Sequence, residues 1–290
     1  MSTAEGTAEP TAELIAFAAR GWAFRDAVRA PAHEIVLTTV LHAIANAHAQ
    51  TVEIAAADSP APARMRARAI GRSAPTTPLH AAFLTGLAVG EAAGLATPAV
   101  AAAFALGDSV DAPGATVLDA IVAGTEIAMR VERALGPAHR ERGWDPRGTC
   151  GRLGAAIAAS RVLGLQRDAM RNAFGIAATA ACGLLEARGT MTAPYIIGAA
   201  AADGVEAALL ARAEFTGAPL ALEGRRGLAA LMSTSFDAGV LLAGLGEAFV
   251  YGDGAGGVPG DVPATEAVRE LVARIERLPS IRALVEATLA

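Results

Sequence analysis

The stretch RGWDPRGTCGRLGAAIAAS, Arg142–Ser160, decides how the chain is read. Its first half gathers Trp144, Asp145, Arg147, Thr149 and Cys150 around a Gly and a Pro. Its second half is built of small residues, with Leu153, Ala156, Ile157, Ser160 and, just beyond, Leu163 at three- and four-residue steps. That spacing predicts a tightly packed α-helix. The same step recurs in Ile35, Val36, Thr39, Val40, Ala43, Ile44 and Ala47, and again in Val268, Leu271, Val272 and Ile275. Strand-like alternation is absent. Gly- and Pro-bearing breaks, among them Ser59-Pro60, Gly107-Asp108, Gly136-Pro137 and Gly217-Ala218-Pro219, divide the chain into about ten to twelve helices of one all-α domain.

One shift in composition interrupts this pattern. YGDGAGGVPGDVPAT, Tyr251–Thr265, is rich in Gly and Pro and has no apolar period. It reads as a linker or surface loop between a first part, residues 1–250, and terminal helices, residues 266–290, hinged at Pro279 and returning to the same domain.

Composition excludes several function classes. Hydrophobic residues make up 53% of 290 residues and aromatics 4%, so small side chains build the core. The net charge of -5 leaves no basic excess for a nucleic-acid partner. All 24 basic residues are Arg, which excludes Schiff-base chemistry and a phosphate-loop Lys. The acidic N-terminus is not a signal peptide. Mean hydropathy is +0.40, but the uncharged runs Ile35–Val52 and Ser73–Gly90 carry polar groups and Pro and read as core, not membrane spans. Cys150 and Cys182 form no metal-ligand spacing and read as small buried groups suited to a reducing cytoplasm. No metal or organic cofactor is expected.

An ordered set of segments resembles one family. PRGTCGRLGAAIAASRVLGL, NAFGIAATAACGLLE, DGVEAALLARAEFTGAPLALEGRRGL and RELVARIERLPSIRALVEATLA, preceded by LDAIVAGTEIAMRVERALG and ELIAFAARGWAFRD, resemble the 2-methylcitrate dehydratase and cis-aconitate decarboxylase family, MmgE/PrpD. The resemblance implies a large helical domain, a homodimer, and an active site in a cleft under an inserted α+β lid. Here the Gly-rich linker stands in the place of the lid. The resemblance also implies a His before the Gly-Thr-Cys-Gly stretch, where Asp145 stands, and a Lys where Ala193 stands. A longer acidic loop is implied where LTGLAVGEAAGLATPAV offers only Glu91.

The candidate site follows from these positions. Asp145 precedes a Pro at a loop-to-helix junction, and reads either as a cap for the helix amides or as a base. Tyr195 reads as a hydrogen-bond donor to a bound oxygen or as an amphipathic wall. Glu91 and His80 are candidates for the opposite side, His80 alternatively as a structural group at a helix start. Phe83, Leu84, Trp144, Arg147, Arg188 and Met191 are candidate substrate contacts, Trp144 as a flat apolar wall and Arg147 as a carboxylate clamp. His33, His42 and His48 lack metal spacing, and His139 reads as solvated. Glu126 and Glu186, within apolar helices, call for partners such as Arg130 or Arg188. The functional expectation is a cofactor-independent lyase, isomerase or cyclase acting on a small-molecule substrate in the cytoplasm, divergent from the family's dehydratase and decarboxylase. The alternative is a non-catalytic helical dimer that partners an active relative.

Overall fold

A computed structural model describes residues 9–20, 24, 26–62, 64–251 and 266–289. Among these, α1 (Pro10–Ala18), α2 (Asp26–Ala45), α3 (Gln50–Ala56), α4 (Pro78–Val89), α5 (Thr97–Val110) and α6 (Gly114–Leu135) lead into α7 (Pro137–Glu141) and α8 (Cys150–Val162). Then come α9 (Arg167–Thr179), α10 (Thr192–Arg212), α11 (Leu228–Met232), α12 (Ala238–Leu242), α13 (Glu266–Ala273) and α14 (Arg282–Ala287). The fold is all-α; no strand occurs among the described residues, only two isolated bridges. The count exceeds the expected ten to twelve because α7, α11 and α12 are five-residue turns, too short to show a period.

The core is organised around α8, which packs on α6, α10 and α5, while α10 also lies along α4. Every residue of α8 from Cys150 to Ser160 is buried. Burial this complete demands close backbone approach. At the crossing of α6 and α8, Gly124 and Gly154 face each other, and a Cβ on Gly154 would stand 2.5 Å from the Gly124 carbonyl oxygen. Side chains no larger than Ala line both helices there, which is why small residues dominate the sequence. Helix α10 is long and apolar enough to cross a bilayer by length and composition, yet here it is an interior element of the bundle, packed on α4, α8 and α9.

A buried ion pair fastens the last part of the first segment. Glu126 and Arg130, one turn apart on α6, pair at 2.6 Å with 0% and 1% exposure. The other Glu126 oxygen accepts the amides of Val250 and Tyr251 at 2.9 and 3.1 Å. Arg130 donates to the carbonyls of Leu241, Ala243 and Ala248 at 3.1, 2.8 and 2.6 Å. The pair satisfies backbone groups over residues 241–251 that have no helical partners. Burial holds the Glu126 carboxyl above the usual carboxylate range, against the pull of Arg130.

Tyr251, read from sequence as the first residue of the linker, is instead 1% exposed and packs edge-on against Phe249. Its amide is tied to Glu126, so Tyr251 belongs to the core and not to the linker. Residues 252–265, the remainder of that linker, lie outside the described residues. Of the terminal helices, α13 packs on α2, His33 meets Glu276 at 3.0 Å, and the Gly114 and Ile281 amides donate to the carbonyls of Leu278 and Ala112.

Candidate functional site

Three loops meet at the N-terminal ends of α8 and α10. The first, residues 143–149, begins at Gly143, whose φ of 88° lets the chain turn out of α7. Asp145 then folds its carboxylate onto its own loop: Oδ1 accepts the Arg147 amide at 2.9 Å, and the Arg147 guanidinium donates from Nε at 3.0 Å and from Nη2 to Oδ2 at 2.6 Å. The first amides below belong to the Asp145 backbone carbonyl, which accepts Gly148 and Thr149 at 3.0 and 3.1 Å. The carboxylate is therefore neither a cap on α8 nor a free base. Burial opposes its charge, but the hydrogen bonds from Arg147 prevail and hold it below the usual carboxylate range.

The second loop, residues 182–191, lies antiparallel to the first. Trp144 and Leu184 form an isolated bridge, with Asp145 donating to Gly183 at 3.0 Å and Leu185 to Gly143 at 2.8 Å. Arg152, 1% exposed, locks the two together. Its Nη1 donates to the carbonyls of Gly148 at 2.7 Å and Cys182 at 3.3 Å, while its Nε lies 2.8 Å from Asp203 of α10. The third loop, residues 90–96, joins through Glu91, which accepts the Gly189 amide at 3.1 Å, and through Arg147, whose Nη1 lies 3.5 Å from the Ala93 carbonyl.

The remaining candidates sit on the α4 flank. His80, whose amide is accepted by Thr77 at the start of α4, stacks on Phe83 with centroids 5.7 Å apart. Phe83 in turn meets Tyr195 edge-on at 5.6 Å. Burial lowers the affinity of His80 for a proton, and its Nε2 is buried without a partner. Tyr195 and Met191 are 53% and 50% exposed, Arg188 is exposed, and Leu84 turns into the core. Residue 196, one step along α10, points elsewhere: Ile196 packs where a Cβ on Gly148 or Gly183 would fall. The structure thus brings Trp144, Asp145, Arg147 and Glu91 into one cluster of loops, and His80, Phe83 and Tyr195 into a row beside it. A pocket of about 270 Å³ opens at Glu91, lined also by His42, Asn46, Thr51 and Pro194.

Sequence reasoning misjudged three groups here. His139, expected in solvent, is fully buried: Nδ1 lies 3.2 Å from the Met232 carbonyl and Nε2 2.8 Å from the Thr149 hydroxyl. A carbonyl accepts only, so Nδ1 carries the proton and Nε2 accepts from Thr149. Desolvation lowers the proton affinity of this ring and keeps it neutral. Cys182, expected in the core, is exposed, because the chain leaves α9 before it and runs extended along Trp144. Arg152 was overlooked, although a charged residue in the middle of an apolar helix signals a buried anchor. Glu126 does pair with Arg130, as its apolar setting demanded, whereas Glu186 is exposed. No group of three or more His, Cys, Asp or Glu able to hold a metal ion occurs among the described residues.

Against known proteins, the family model of the MmgE/PrpD N-terminal domain matches residues 15–241. Two curated proteins are similar over a shorter stretch: a cis-aconitate decarboxylase of Aspergillus terreus and one of Aspergillus terreus strain NIH 2624 / FGSC A1156. Each is 37% identical over 100 residues, covering 34% of this chain and 20% of the relative. The matched stretch thus spans a fifth of the relatives' own length.

Proposed function

The chain belongs to the MmgE/PrpD family, and from that membership we propose a divergent, cofactor-independent enzyme of cytoplasmic small-molecule metabolism, of lyase, isomerase or cyclase type, that no longer dehydrates 2-methylcitrate or decarboxylates cis-aconitate. The observation that carries this reading is the lock between Asp145 and Arg147. A carboxylate held ionised by two guanidinium contacts is a weak proton acceptor, and the guanidinium that would clamp a substrate acid is occupied. Glu91 is tied to the Gly189 amide. Open to a ligand are the Tyr195 phenol, at the first turn of α10, and the exposed Arg188 and Met191. Such a site suits a reaction governed by positioning and one or two hydrogen bonds to a carbonyl oxygen.

The test is direct. The purified chain is incubated with cis-aconitate, with 2-methylcitrate and with a cell metabolite extract, and products are followed by mass spectrometry. We expect neither acid to turn over, and a change in the extract that Tyr195→Phe slows. Turnover of either acid at rates typical of active enzymes overturns the reading.

A second reading rests on a separate observation. Leu184, Met191 and Tyr195, 50% to 58% exposed, form an apolar rim around the loops. A rim of this kind fits a non-catalytic helical dimer that is covered by an active relative. An extract left unchanged, with a relative's activity raised on mixing, selects it.

A further inference from the structure

A second polar pocket lies at the opposite end of α5 from the three loops. Around Ala67 the chain runs extended, paired with Thr76 through both backbone bonds, at 2.9 and 2.8 Å. An extended chain turns successive side chains to opposite faces. Ala67 and Ala69 accordingly point inward, at 1% and 2% exposure, while Arg66 and Arg68 point outward. They form one wall of a pocket of about 430 Å³, with Arg282 opposite, Ser73 at the rim and Asp108 buried on the floor. From Thr97, next to the loops, to Asp108 the helix rises about 17 Å at 1.5 Å per residue.

The guanidinium groups here are held to different degrees. The short bond to Asp108 comes from the Arg68 backbone amide, at 2.8 Å. From the Asp108 carboxylate the side chains stand farther off, Arg68 Nε at 3.6 Å and Arg282 Nε at 3.3 Å, while Arg282 Nη2 donates to the Asp108 backbone carbonyl at 2.7 Å. At the rim, Glu286 and Asp111 answer Arg68 and Arg282 at 3.3 Å each. Saturated charge-assisted bonds lie at about 2.7–2.9 Å. Arg66 has no ion-pair partner among the described residues, and five donors to offer. Asp108 thus sets the direction of two cations, holding Arg282 firmly through its backbone carbonyl and Arg68 only at longer range, and Arg66 is left to meet a ligand.

We propose that this pocket binds a small anion through phosphate or carboxylate groups, at a site separate from the three loops. The guanidinium fork matches both oxygen geometries, and the volume falls in the range of small-ligand sites. The carboxylates at the rim favour a compact ligand that reaches the Arg66 side without displacing them.

The probes are inorganic pyrophosphate and citrate, titrated calorimetrically into the full chain, into Arg66→Gln and into the Arg66→Gln/Arg282→Gln double variant. Circular dichroism checks that each is folded; Arg66 is exposed and unpaired, so its variant keeps the native fold. The expected result is saturable one-to-one binding of at least one probe that weakens as salt rises and falls about tenfold or more for Arg66→Gln. Preference for pyrophosphate assigns a phosphate ligand, and preference for citrate a carboxylate one. Absence of binding by both at millimolar concentration, or binding that the folded double variant retains, overturns the proposal.

Discussion

Asp145 and Arg147 face each other across a single turn, and the short contact, 2.6 Å between Arg147 Nη2 and Asp145 Oδ2, closes the loop that leads into α8. The carboxylate is 3% exposed and the guanidinium 17%. Asp145→Asn keeps an acceptor for the Arg147 amide but removes the charge. We expect a loss of about 1–3 kcal/mol in unfolding free energy. The pH dependence identifies the cause. Because the folded carboxyl lies below its usual value, its contribution is present above about pH 4 and is lost as pH falls through the folded value. Melting temperatures of the parent and Asp145→Asn should differ at pH 7 and converge in strong acid. A difference that persists there would show that the ion pair is not its source.

The pair Glu126 and Arg130 carries the opposite sign. Burial raises the Glu126 carboxyl, so ionising it works against folding as pH rises, and Arg130 offsets that cost only while both partners remain. Glu126→Ala strands a guanidinium that is 1% exposed and frees the Val250 and Tyr251 amides. The expected loss is about 3–5 kcal/mol by urea unfolding. Glu126→Leu with Arg130→Met should cost less than the sum of the single changes. Additive costs would mean that the two side chains act independently.

The helices that position these groups were legible because burial writes a period into sequence. Leu153, Ala156, Ile157 and Ser160 mark α8 at a spacing that only a helix explains. The loops between were not legible in the same way. Trp144 meets Leu184, forty residues later, through a bridge with no alternating pattern on either side. The pairing of Asp145 with Arg147 was within reach, since two residues flanking a Pro are neighbours in a turn; Asp145 was read instead as a cap or a base, and Arg147 as a clamp on substrate. His139 was misplaced because its Pro- and Arg-bearing surroundings suggest solvent, whereas a single turn of helix carries the ring inward to Thr149.

The exposed apolar residues make an association prediction. Leu184 is 58% exposed and Leu231 is 62% exposed, and Met191 and Tyr195 are half exposed as well. Apolar surface of this kind is uncommon on monomers. We expect light scattering at micromolar concentration to give twice 29.1 kDa, and Leu184→Glu with Leu231→Glu to halve it. A parent chain that is monomeric at that concentration refutes the homodimer.

The two thiols should differ sharply in reactivity. Cys150 opens α8, is fully buried, and its thiol is pushed up to about 12 by desolvation. Only the thiolate attacks an alkylating reagent, so at pH 8 Cys150 is blocked twice, by access and by protonation. Cys182 is exposed on the loop beside Trp144, with Arg152 Nη1 3.4 Å from its sulfur. We expect one maleimide adduct per native chain, on Cys182, with the second appearing only in denaturant. Labelling of Cys182 also reports on the site, because its carbonyl is one of the two that Arg152 holds. Arg152→Met should therefore speed the Cys182 reaction and expose Cys150 on the time scale of local opening. Two native adducts at equal rates would mean that the N-terminal end of α8 is open, and with it the frame on which Asp145 and Arg147 are set.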